Sequence, residues 1–225
     1  MKNVTIVSIS DTHTKQNNIK LPKLDTNYTN VLVHAGDFSH DKSSFFEFLI
    51  WYGSKEEYDY RILIAGNHDV IAERMGYKKM YELCKECGII YLQDTSVTIE
   101  GVKFYGSPYS NFFCNWAFME YEHKLKKIWA NIPDDTNVLI THGPSYGVLD
   151  EVYQGIMEPN AGSTTLRDRT LELKELKYHF VGHIHEGGMK IYKDEGFTTY
   201  NSSIVDERYK MIDKTPVKFK IKGDK

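Results

Sequence analysis

Short apolar runs rich in β-branched residues alternate along the chain with segments of helical periodicity, and most of these runs end directly at aspartate, asparagine, histidine or glycine. Apolar runs of this length and composition predict strands that are buried on both faces. Their alternation with helices predicts an α/β fold. The predicted strands lie at 4–10, 31–35, 61–65, 138–141 and 178–181, and the predicted helices at 43–52, 70–87, 117–131 and 165–176.

Two other stretches have the pattern of hairpins. The first, 89–106, contains a turn at Gly101 between two short apolar segments, and the second, 189–200, has its turn at 195–196. The segment 217–221 alternates apolar residues with lysines, which predicts an edge strand whose lysines face water. The chain therefore carries antiparallel elements beside its buried strands.

The 225 residues suffice for one domain with a substantial core, and we find no linker, repeat or low-complexity tract that would divide them. We predict a single domain over residues 1–225. A net charge of −3 makes long nucleic acid a poor partner, because such binding normally needs a basic face.

The first apolar stretch is too short for a signal peptide, and no run reaches the roughly 18 to 20 apolar residues of a membrane span. These features predict a soluble, cytoplasmic protein without a membrane partner. The sequence leaves the oligomeric state open. Three cysteines, Cys84, Cys87 and Cys114, are expected to be reduced thiols. The spacing of Cys84 and Cys87 occurs in zinc and redox sites, but no second ligand pair lies nearby, so we interpret them as helix residues.

Polar residues that follow the predicted strands supply a consistent set of metal ligands. Asp11 and His13 follow the first strand, where an extended backbone sends alternate side chains the same way and lets both reach one ion. Asp37 follows the second strand and is the candidate bridging ligand, because a carboxylate can offer one oxygen to each of two cations. Ligands at the carboxyl ends of adjacent strands converge on one crevice.

Four further residues complete the predicted set: Asn67, His142, His183 and His185. Asn67 would add a neutral oxygen without adding negative charge to a crowded site. Oxygen and nitrogen ligands without a thiolate suit Mn²⁺, Fe or Zn²⁺ better than a structural zinc. We therefore expect two divalent metal ions as cofactors, with Mn²⁺ as the first expectation.

This ordered series resembles the signature of the calcineurin-like metallophosphoesterase superfamily, namely Asp-x-His, Gly-Asp, Gly-Asn-His-Asp/Glu, a lone His and Gly-His-x-His. The match spans Asp11 to His185. The resemblance implies an α/β four-layer αββα sandwich with two mixed β-sheets. Shorter segments at 92–94, 105–108, 141–144, 185–187 and 199–203 resemble the small MPPED-type metallophosphodiesterases.

The same resemblance assigns roles to individual residues, with His68 as the catalytic imidazole. The Arg-Gly that follows the second aspartate of protein phosphatases is absent after Asp37, so dephosphorylation of phosphoproteins is a poorer expectation. Some small members lack the first histidine of Gly-His-x-His, whereas this chain keeps His183. The implied ligands are Asp11, His13, Asp37 and His185 for one metal, and Asp37, Asn67, His142 and His183 for the other.

The predicted reaction is hydrolysis of a small phosphodiester, such as a cyclic nucleotide, by in-line attack of a metal-bridging hydroxide. His68 would act as the general acid that protonates the leaving group. Phosphomonoesterase and nuclease activity at the same site remain alternatives. A catalytically silent scaffold with the same fold is the alternative from another class.

The loop 108–116 is rich in aromatic and polar residues, and it offers candidate substrate contacts. Tyr109, Asn111 and Phe113 lie in this loop, and Tyr146 lies close to the predicted ligand at the end of the fourth strand. Aromatic rings of this kind stack on nucleobases, but they serve equally well to pack a loop onto its domain. Both interpretations stay open at the level of sequence.

Overall fold

A computed structural model describes residues 1–153, 160–194, 196–212 and 214–223, and it shows two β-sheets stacked between layers of helices. The helices are α1 (Lys42–Gly53), α2 (Val70–Met75), α3 (Tyr77–Glu86), α4 (Glu122–Trp129) and α5 (Thr164–Glu172). The strands are β1 (Val4–Ile9), β2 (Thr29–Ala35), β3 (Tyr60–Ile64), β4 (Ile90–Tyr91), β5 (Thr95–Ile99), β6 (Val102–Ser107), β7 (Ser110–Asn111), β8 (Met119–Glu120), β9 (Val138–Thr141), β10 (Tyr178–Val181), β11 (Ile191–Lys193), β12 (Thr198–Asn201) and β13 (Lys218–Ile221).

Both main sheets are mixed, with parallel strands in the middle and an antiparallel strand at one edge of the first sheet and at both edges of the second. The first sheet has the order β13-β1-β2-β3-β4, in which β1 to β4 are parallel and β13 is antiparallel to β1. The second has the order β11-β12-β10-β9-β6-β5, with only β11 and β5 antiparallel to their neighbours. The predicted edge strand at 217–221 is thus confirmed as β13.

Alternation of side chains along the strands builds the core on both faces of each sheet. In β2, Val31 and Val33 pack into the core between the two sheets, whereas Leu32 packs against the helices on the other side. Successive residues of a strand point to opposite faces, so a run of apolar residues buries both. Phe104 and Ile140 come from the second sheet and complete the core between the sheets.

Helices cover the outer face of each sheet and complete the four layers. Phe48 of α1 and Cys84 of α3 lie in the core outside the first sheet. Leu125, Trp129 and Leu166 of α4 and α5 lie in the core outside the second sheet. The predicted αββα sandwich is therefore confirmed. No helix in the described part of the chain is both long enough and apolar enough to cross a lipid bilayer.

Three of the predicted helices differ from the structure, and the one expected at 165–176 already ends at Glu172. The helix expected at 70–87 is divided at Gly76, whose φ of 76° and ψ of 158° lie outside the helical region. The helix expected at 117–131 begins only at Glu122, because the preceding residues are extended and β8 pairs with β7 in parallel. Phe118 has a φ of 51°, which a helix does not allow.

Both predicted hairpins are present, but the first is shorter than expected. The stretch 89–106 is shared between the sheets, because β4 joins the first sheet and only β5 and β6 form the antiparallel hairpin around Gly101. β11 and β12 form the second hairpin, and residue 195 of its expected turn lies outside the described residues. The described cysteines Cys84, Cys87 and Cys114 carry free thiols.

Candidate metal centre

The carboxyl ends of parallel strands from both sheets meet at one edge of the sandwich, and the predicted ligands lie there. Each strand ends in a turn that carries a polar side chain inward. Asp11 follows β1, Asp37 follows β2, Asn67 follows β3, His142 follows β9 and His183 follows β10, with His13 and His185 each two residues further along. The structure therefore brings together all seven side chains that the sequence selected.

Asp11, His13 and His185 form the first cluster, in which one ligand atom of each residue lies within 4.8 Å of the others. The Nε2 atom of His185 lies 3.3 Å from Nε2 of His13 and 3.3 Å from Oδ1 of Asp11. The other ring nitrogen of His185, Nδ1, donates to the carbonyl of Asp206 at 3.2 Å. This hydrogen bond leaves Nε2 of His185 facing the cluster.

The second cluster contains Asp37, His142 and Asn67. The Nε2 atom of His142 lies 2.8 Å from Oδ1 of Asn67 and 3.3 Å from Oδ1 of Asp37. Its Nδ1 donates to the carbonyl of Ala35 at 2.8 Å, which again fixes the ring orientation. The second oxygen of Asp37, Oδ2, lies 3.9 Å from Nε2 of His13. Asp37 thus directs one oxygen to each cluster, as a bridging ligand must.

Asp11 also lies between the two clusters, since its carboxylate groups with Asp37 and His142 as well as with His13 and His185. The backbone N–H of His183 donates to both oxygens of Asp11, at 3.2 and 3.1 Å. The assignment implied by the family gave only Asp37 a central position. In the structure, the two buried aspartates share it.

Small residues and strained turns make room for the ligands. Gly36 has a φ of 96°, and a Cβ atom there would lie 2.7 Å from Nδ1 of His142. A Cβ atom at Gly66 would lie 2.6 Å from Cε1 of the same histidine. Asp11 and Asp37 themselves have φ angles of 52° and 59°. Non-glycine residues rarely adopt such angles, and they persist only where the surrounding structure enforces them.

The electrostatic environment lowers the pKa of the buried carboxylate ligands, and it shifts the pKa values of the histidines in opposite directions. Burial raises the pKa of Asp11, but the hydrogen bond and charge of His185 outweigh it and lower this pKa to about 2. Burial lowers the pKa of His142, but the neighbouring Asp37 outweighs it and raises this pKa to about 9. Burial lowers the pKa of His13 to about 4. His13 is therefore neutral near pH 7, whereas His142 must lose a proton before it can bind a metal.

The donor set fits divalent cations. It consists of carboxylate oxygens, one amide oxygen and imidazole nitrogens, without a thiolate, as hard and intermediate metals prefer. The Nε2 atoms of His13 and His185 face each other across 3.3 Å, and a cation between acidic and imidazole groups would satisfy both. Nδ1 of His13 and Nδ2 of Asn67 are buried without a hydrogen-bond partner among the described residues. The site could hold divalent metals.

A cavity of about 430 Å³ opens over these clusters. The predicted residues His68, Asn111 and Phe113 line it, together with Asp37, Asn67, His183 and His185. Trp116 and Tyr209 also line it, and the sequence did not single them out. The ring of Tyr209 lies edge-on to those of His13 and His185, with centroids 4.8 and 5.1 Å apart. The substrate would therefore enter between aromatic rings.

Two of the four predicted substrate contacts lie elsewhere. Tyr109 packs against Phe118, with ring centroids 5.9 Å apart, and joins the apolar cores below the helices instead of the described cavity wall. Tyr146 is half-exposed but does not belong to the described wall either. Asn111 reaches the wall, and its Nδ2 donates to the carbonyls of Ala161 and Gly162 at 3.3 and 3.0 Å.

A buried carboxylate that the sequence left without a role connects two of the ligand-bearing turns. Asp69 accepts hydrogen bonds from the backbone N–H groups of Asp37 at 2.9 Å, Phe38 at 3.1 Å, Ser39 at 3.0 Å and Gly66 at 2.8 Å. Its position as the fourth residue of Gly-Asn-His-Asp was the signal that pointed to it. Asp69 thereby holds the turns after β2 and β3 together.

Comparison with known proteins places the chain in a family of phosphoesterases. Residues 4–187 match the family model described as calcineurin-like phosphoesterase, and the chain belongs to this family. Metallophosphoesterase domain-containing protein 1 from Homo sapiens is 33% identical over 233 residues, covering 92% of this chain and 68% of the relative. The protein of the same name from Mus musculus matches to the same extent. The predicted resemblance to the MPPED-type proteins is confirmed.

Solved structures show the same fold at low sequence identity. Phosphopantetheinyl hydrolase from Mycobacterium tuberculosis superposes with a TM-score of 0.59 at 16% identity, covering 92% of each chain. This likeness concerns the fold alone. Together, the family and the Asp and His clusters support a metal-dependent phosphoesterase.

Proposed function

We propose that the protein is a phosphodiesterase that uses two divalent metal ions, Mn²⁺ before Fe or Zn²⁺, to hydrolyse small phosphodiesters such as cyclic nucleotides. The observation that carries this proposal is the pair of ligand clusters on either side of Asp37, at the floor of a cavity of about 430 Å³. Two clusters that share a carboxylate are the arrangement of two-metal hydrolases, in which paired cations act on one phosphoryl group.

The residues of the chain provide the charge and the geometry that this chemistry needs. When bound, the two cations would supply an activated water and positive charge for the phosphate oxygens. Asp11 and Asp37 are buried and ionised, so they offset the charge of the cations inside the protein. Carbonyl groups hold the outer nitrogens of His142 and His185, which keeps both rings directed at the site.

His68 has the position of a general acid at the edge of the centre. Its backbone N–H donates to Oδ1 of Asp37 at 2.8 Å, and its Nε2 lies 3.9 Å from Oδ2 of the same carboxylate. The side chain is 25% exposed, so it can exchange protons with solvent and reach a bound ester. A proton delivered to the departing oxygen typically accelerates such a step by about 10²- to 10⁴-fold.

The cavity wall favours a small substrate with an aromatic group. Phe112, Phe113 and Trp116 line the cavity and remain 41%, 66% and 44% exposed. The ring of Trp116 lies 4.9 Å from that of His68, so a base stacked there would adjoin the general acid. Stacking of a base on an aromatic side chain contributes about 1 to 3 kcal/mol and tolerates different bases.

A panel of substrates tests the proposal. Purified protein would be loaded with Mn²⁺, Fe²⁺ or Zn²⁺ and assayed with bis(p-nitrophenyl) phosphate, p-nitrophenyl phosphate, cyclic nucleotides and short oligonucleotides. We expect the highest kcat/KM for the diester and the cyclic nucleotides, with Mn²⁺ the most effective metal. Higher values for the monoester would favour a phosphomonoesterase, and higher values for oligonucleotides a nuclease. Protein that takes up metal but hydrolyses none of them would be a scaffold.

A further inference from the structure

The wall of the cavity carries acidic groups and, in the described part of the chain, no lysine or arginine. Glu186 and Glu207 both line it. The segment 154–159, whose structure is not described, contains neither lysine nor arginine in its sequence. Arg208 pairs with Glu207, with Nε 3.6 Å from Oε1, and does not belong to the described wall. Among the side chains that line the described wall, only the histidines, through the metals they would hold, could offer positive charge to a bound phosphate.

The backbone of both glutamates is connected to the predicted metal ligand His185. Glu186 directly follows His185 in the short 3₁₀ turn His185–Gly187. Glu207 directly follows Asp206, whose carbonyl accepts the hydrogen bond from Nδ1 of His185 at 3.2 Å. Both glutamates therefore line the cavity on the side of His185.

Carboxylates at this place distinguish phosphate esters by their charge. A phosphate monoester has a second pKa near 6 and carries close to two negative charges above pH 7, whereas a diester carries one. Repulsion from a fixed carboxylate grows in proportion to the charge on the substrate. Proteins that bind dianionic or multiple phosphates normally place Arg or Lys around them. The described cavity wall has the opposite character.

On the basis of the proposed function, we propose that Glu186 and Glu207 are specificity-determining residues that select esters with a single negative charge. The two carboxylates in the cavity wall admit phosphodiesters and disfavour monoester dianions, oligonucleotides and polyphosphates. The substrate class is then a phosphodiester whose remaining groups are neutral and include an aromatic ring.

The test compares two substrates that release the same chromophore. Bis(p-nitrophenyl) phosphate has one negative charge and p-nitrophenyl phosphate has two at pH 8. Wild-type protein, Glu186→Gln, Glu207→Gln and the double variant would be assayed with Mn²⁺. Glu56→Gln serves as the matched control, because Glu56 is exposed and precedes β3 at the opposite edge of the sheet.

We expect the ratio of kcat/KM for diester over monoester to fall about threefold in each single variant and about tenfold in the double variant. Glu56→Gln should leave the ratio unchanged. Glutamine keeps the size of the side chain, so the melting temperature should stay within a few degrees of that of the wild type. A double variant in which both substrates change equally, or in which the ratio rises, would overturn the charge selection.

A binding experiment separates this inference from the proposed function. If the wild type hydrolyses neither ester, phosphodiesterase function is wrong, but charge selection can still be measured. The quenching of tryptophan fluorescence, which reports on Trp116 in the wall, gives the Kd of cyclic AMP and of AMP for Mn²⁺-loaded protein. The double variant should lower the Kd of AMP several-fold more than it lowers the Kd of cyclic AMP. Equal changes for both nucleotides would again overturn the inference.

Discussion

Asp69 shows how one buried carboxylate can order a site without contacting a substrate. It accepts four backbone N–H groups, from the turns that carry Asp37 and Asn67, and a further bond from the hydroxyl of Ser39 at 2.9 Å. Such donors are costly to leave unpaired, at about 1 to 3 kcal/mol each. The order of the two turns therefore depends on this side chain.

We expect Asp69→Asn to lower both stability and metal content, because its amide group presents N–H groups to donors that need an acceptor. A loss of about 2 to 3 kcal/mol corresponds to a drop in melting temperature of about 5 to 10 °C for a chain of this size. Scanning calorimetry with chelator and elemental analysis after Mn²⁺ loading would measure the two effects. Asp135→Asn is the control, since the Asp135 side chain is exposed and pairs with Lys103 at the surface. Full metal content in Asp69→Asn would contradict the positioning role.

We expect His68→Ala to keep its metals and to slow hydrolysis in a way that depends on the leaving group. An alkoxide leaves poorly without a proton, so a dialkyl or cyclic diester should lose about 10²- to 10⁴-fold in kcat. p-Nitrophenolate leaves readily, so bis(p-nitrophenyl) phosphate should lose much less. His123→Ala, in an exposed residue of α4, controls for the loss of a histidine. An equal loss for both leaving groups would remove His68 from the role of general acid.

The sequence located the residues of the centre but only some of those in the cavity wall. Asp37 and His142 could be selected because each follows an apolar strand, and the ends of parallel strands meet. Tyr209 could not, because its place beside His13 depends on a turn that returns to His185 through the carbonyl of Asp206. No local pattern encodes that return.

At the level of elements, the turn after β10 is packed so closely against the end of β1 that it has no room for additional atoms. Gly182 follows β10, and a Cβ atom there would collide with Oγ of Ser10 and Oδ2 of Asp11. The position of the first cluster thus depends on the close approach of this turn to the end of β1. Packing of two strand ends, not side-chain chemistry alone, fixes Asp11.

We expect Gly182→Ala to displace Asp11 and to weaken metal binding while the sandwich still folds. Isothermal titration of chelator-treated protein with Mn²⁺ should show a loss of at least about tenfold in affinity, or the loss of one of two binding events. Gly196→Ala is the control, because a Cβ atom there meets nothing within 4 Å and tests backbone strain alone. Unchanged Mn²⁺ titration in Gly182→Ala would show that the turn tolerates the extra methyl group.

The elements that sequence periodicity predicted incorrectly are those in which tertiary contacts override local preference. Residues near Ala117 have helical spacing, yet the backbone N–H of Ala117 donates to the carbonyl of Asn67 at 3.2 Å. The backbone N–H of Phe118 donates to Oε1 of Glu73 at 2.7 Å. These bonds tie the segment to the turn that holds Asn67, and α4 begins only afterwards. This connection brings Trp116 to His68, so the deviation from helical periodicity helps to build the cavity wall.

At the scale of the whole molecule, stacking of the two sheets brings the aspartates of one sheet next to the histidines of the other. Asp11 and Asp37 come from the first sheet, whereas His142 and His185 follow strands of the second. The alternation of strands and helices predicted an α/β fold with ligands at converging strand ends, whereas the arrangement in two sheets was implied by the family resemblance. The charge of the cavity wall could not be predicted, since neither the motif that contains Glu186 nor the turn that carries Glu207 indicates by itself that its side chain lines the cavity.

Because the metal centre joins the sheets, metal binding should stabilise the whole fold in a pH-dependent manner. In the metal-free protein, the pKa of His142 is raised to about 9 by Asp37 against the opposing effect of burial. A raised pKa in the folded state stabilises the metal-free fold fully below pH 6.5, and this contribution is lost as pH rises toward 9. Metal binding requires the same proton to leave, so affinity increases over the same range.

We therefore expect the difference in melting temperature between Mn²⁺-loaded and chelator-treated protein to be larger at pH 8.5 than at pH 6.5. Both effects act in one direction, since the metal-free protein becomes less stable while apparent metal affinity rises by up to about tenfold per pH unit. Calorimetry at fixed free Mn²⁺ would measure the difference. His142→Gln removes the titrating group, so the difference in melting temperature should depend less on pH in this variant. A wild-type difference that stays constant or shrinks with pH would show that His142 is not protonated in the metal-free protein.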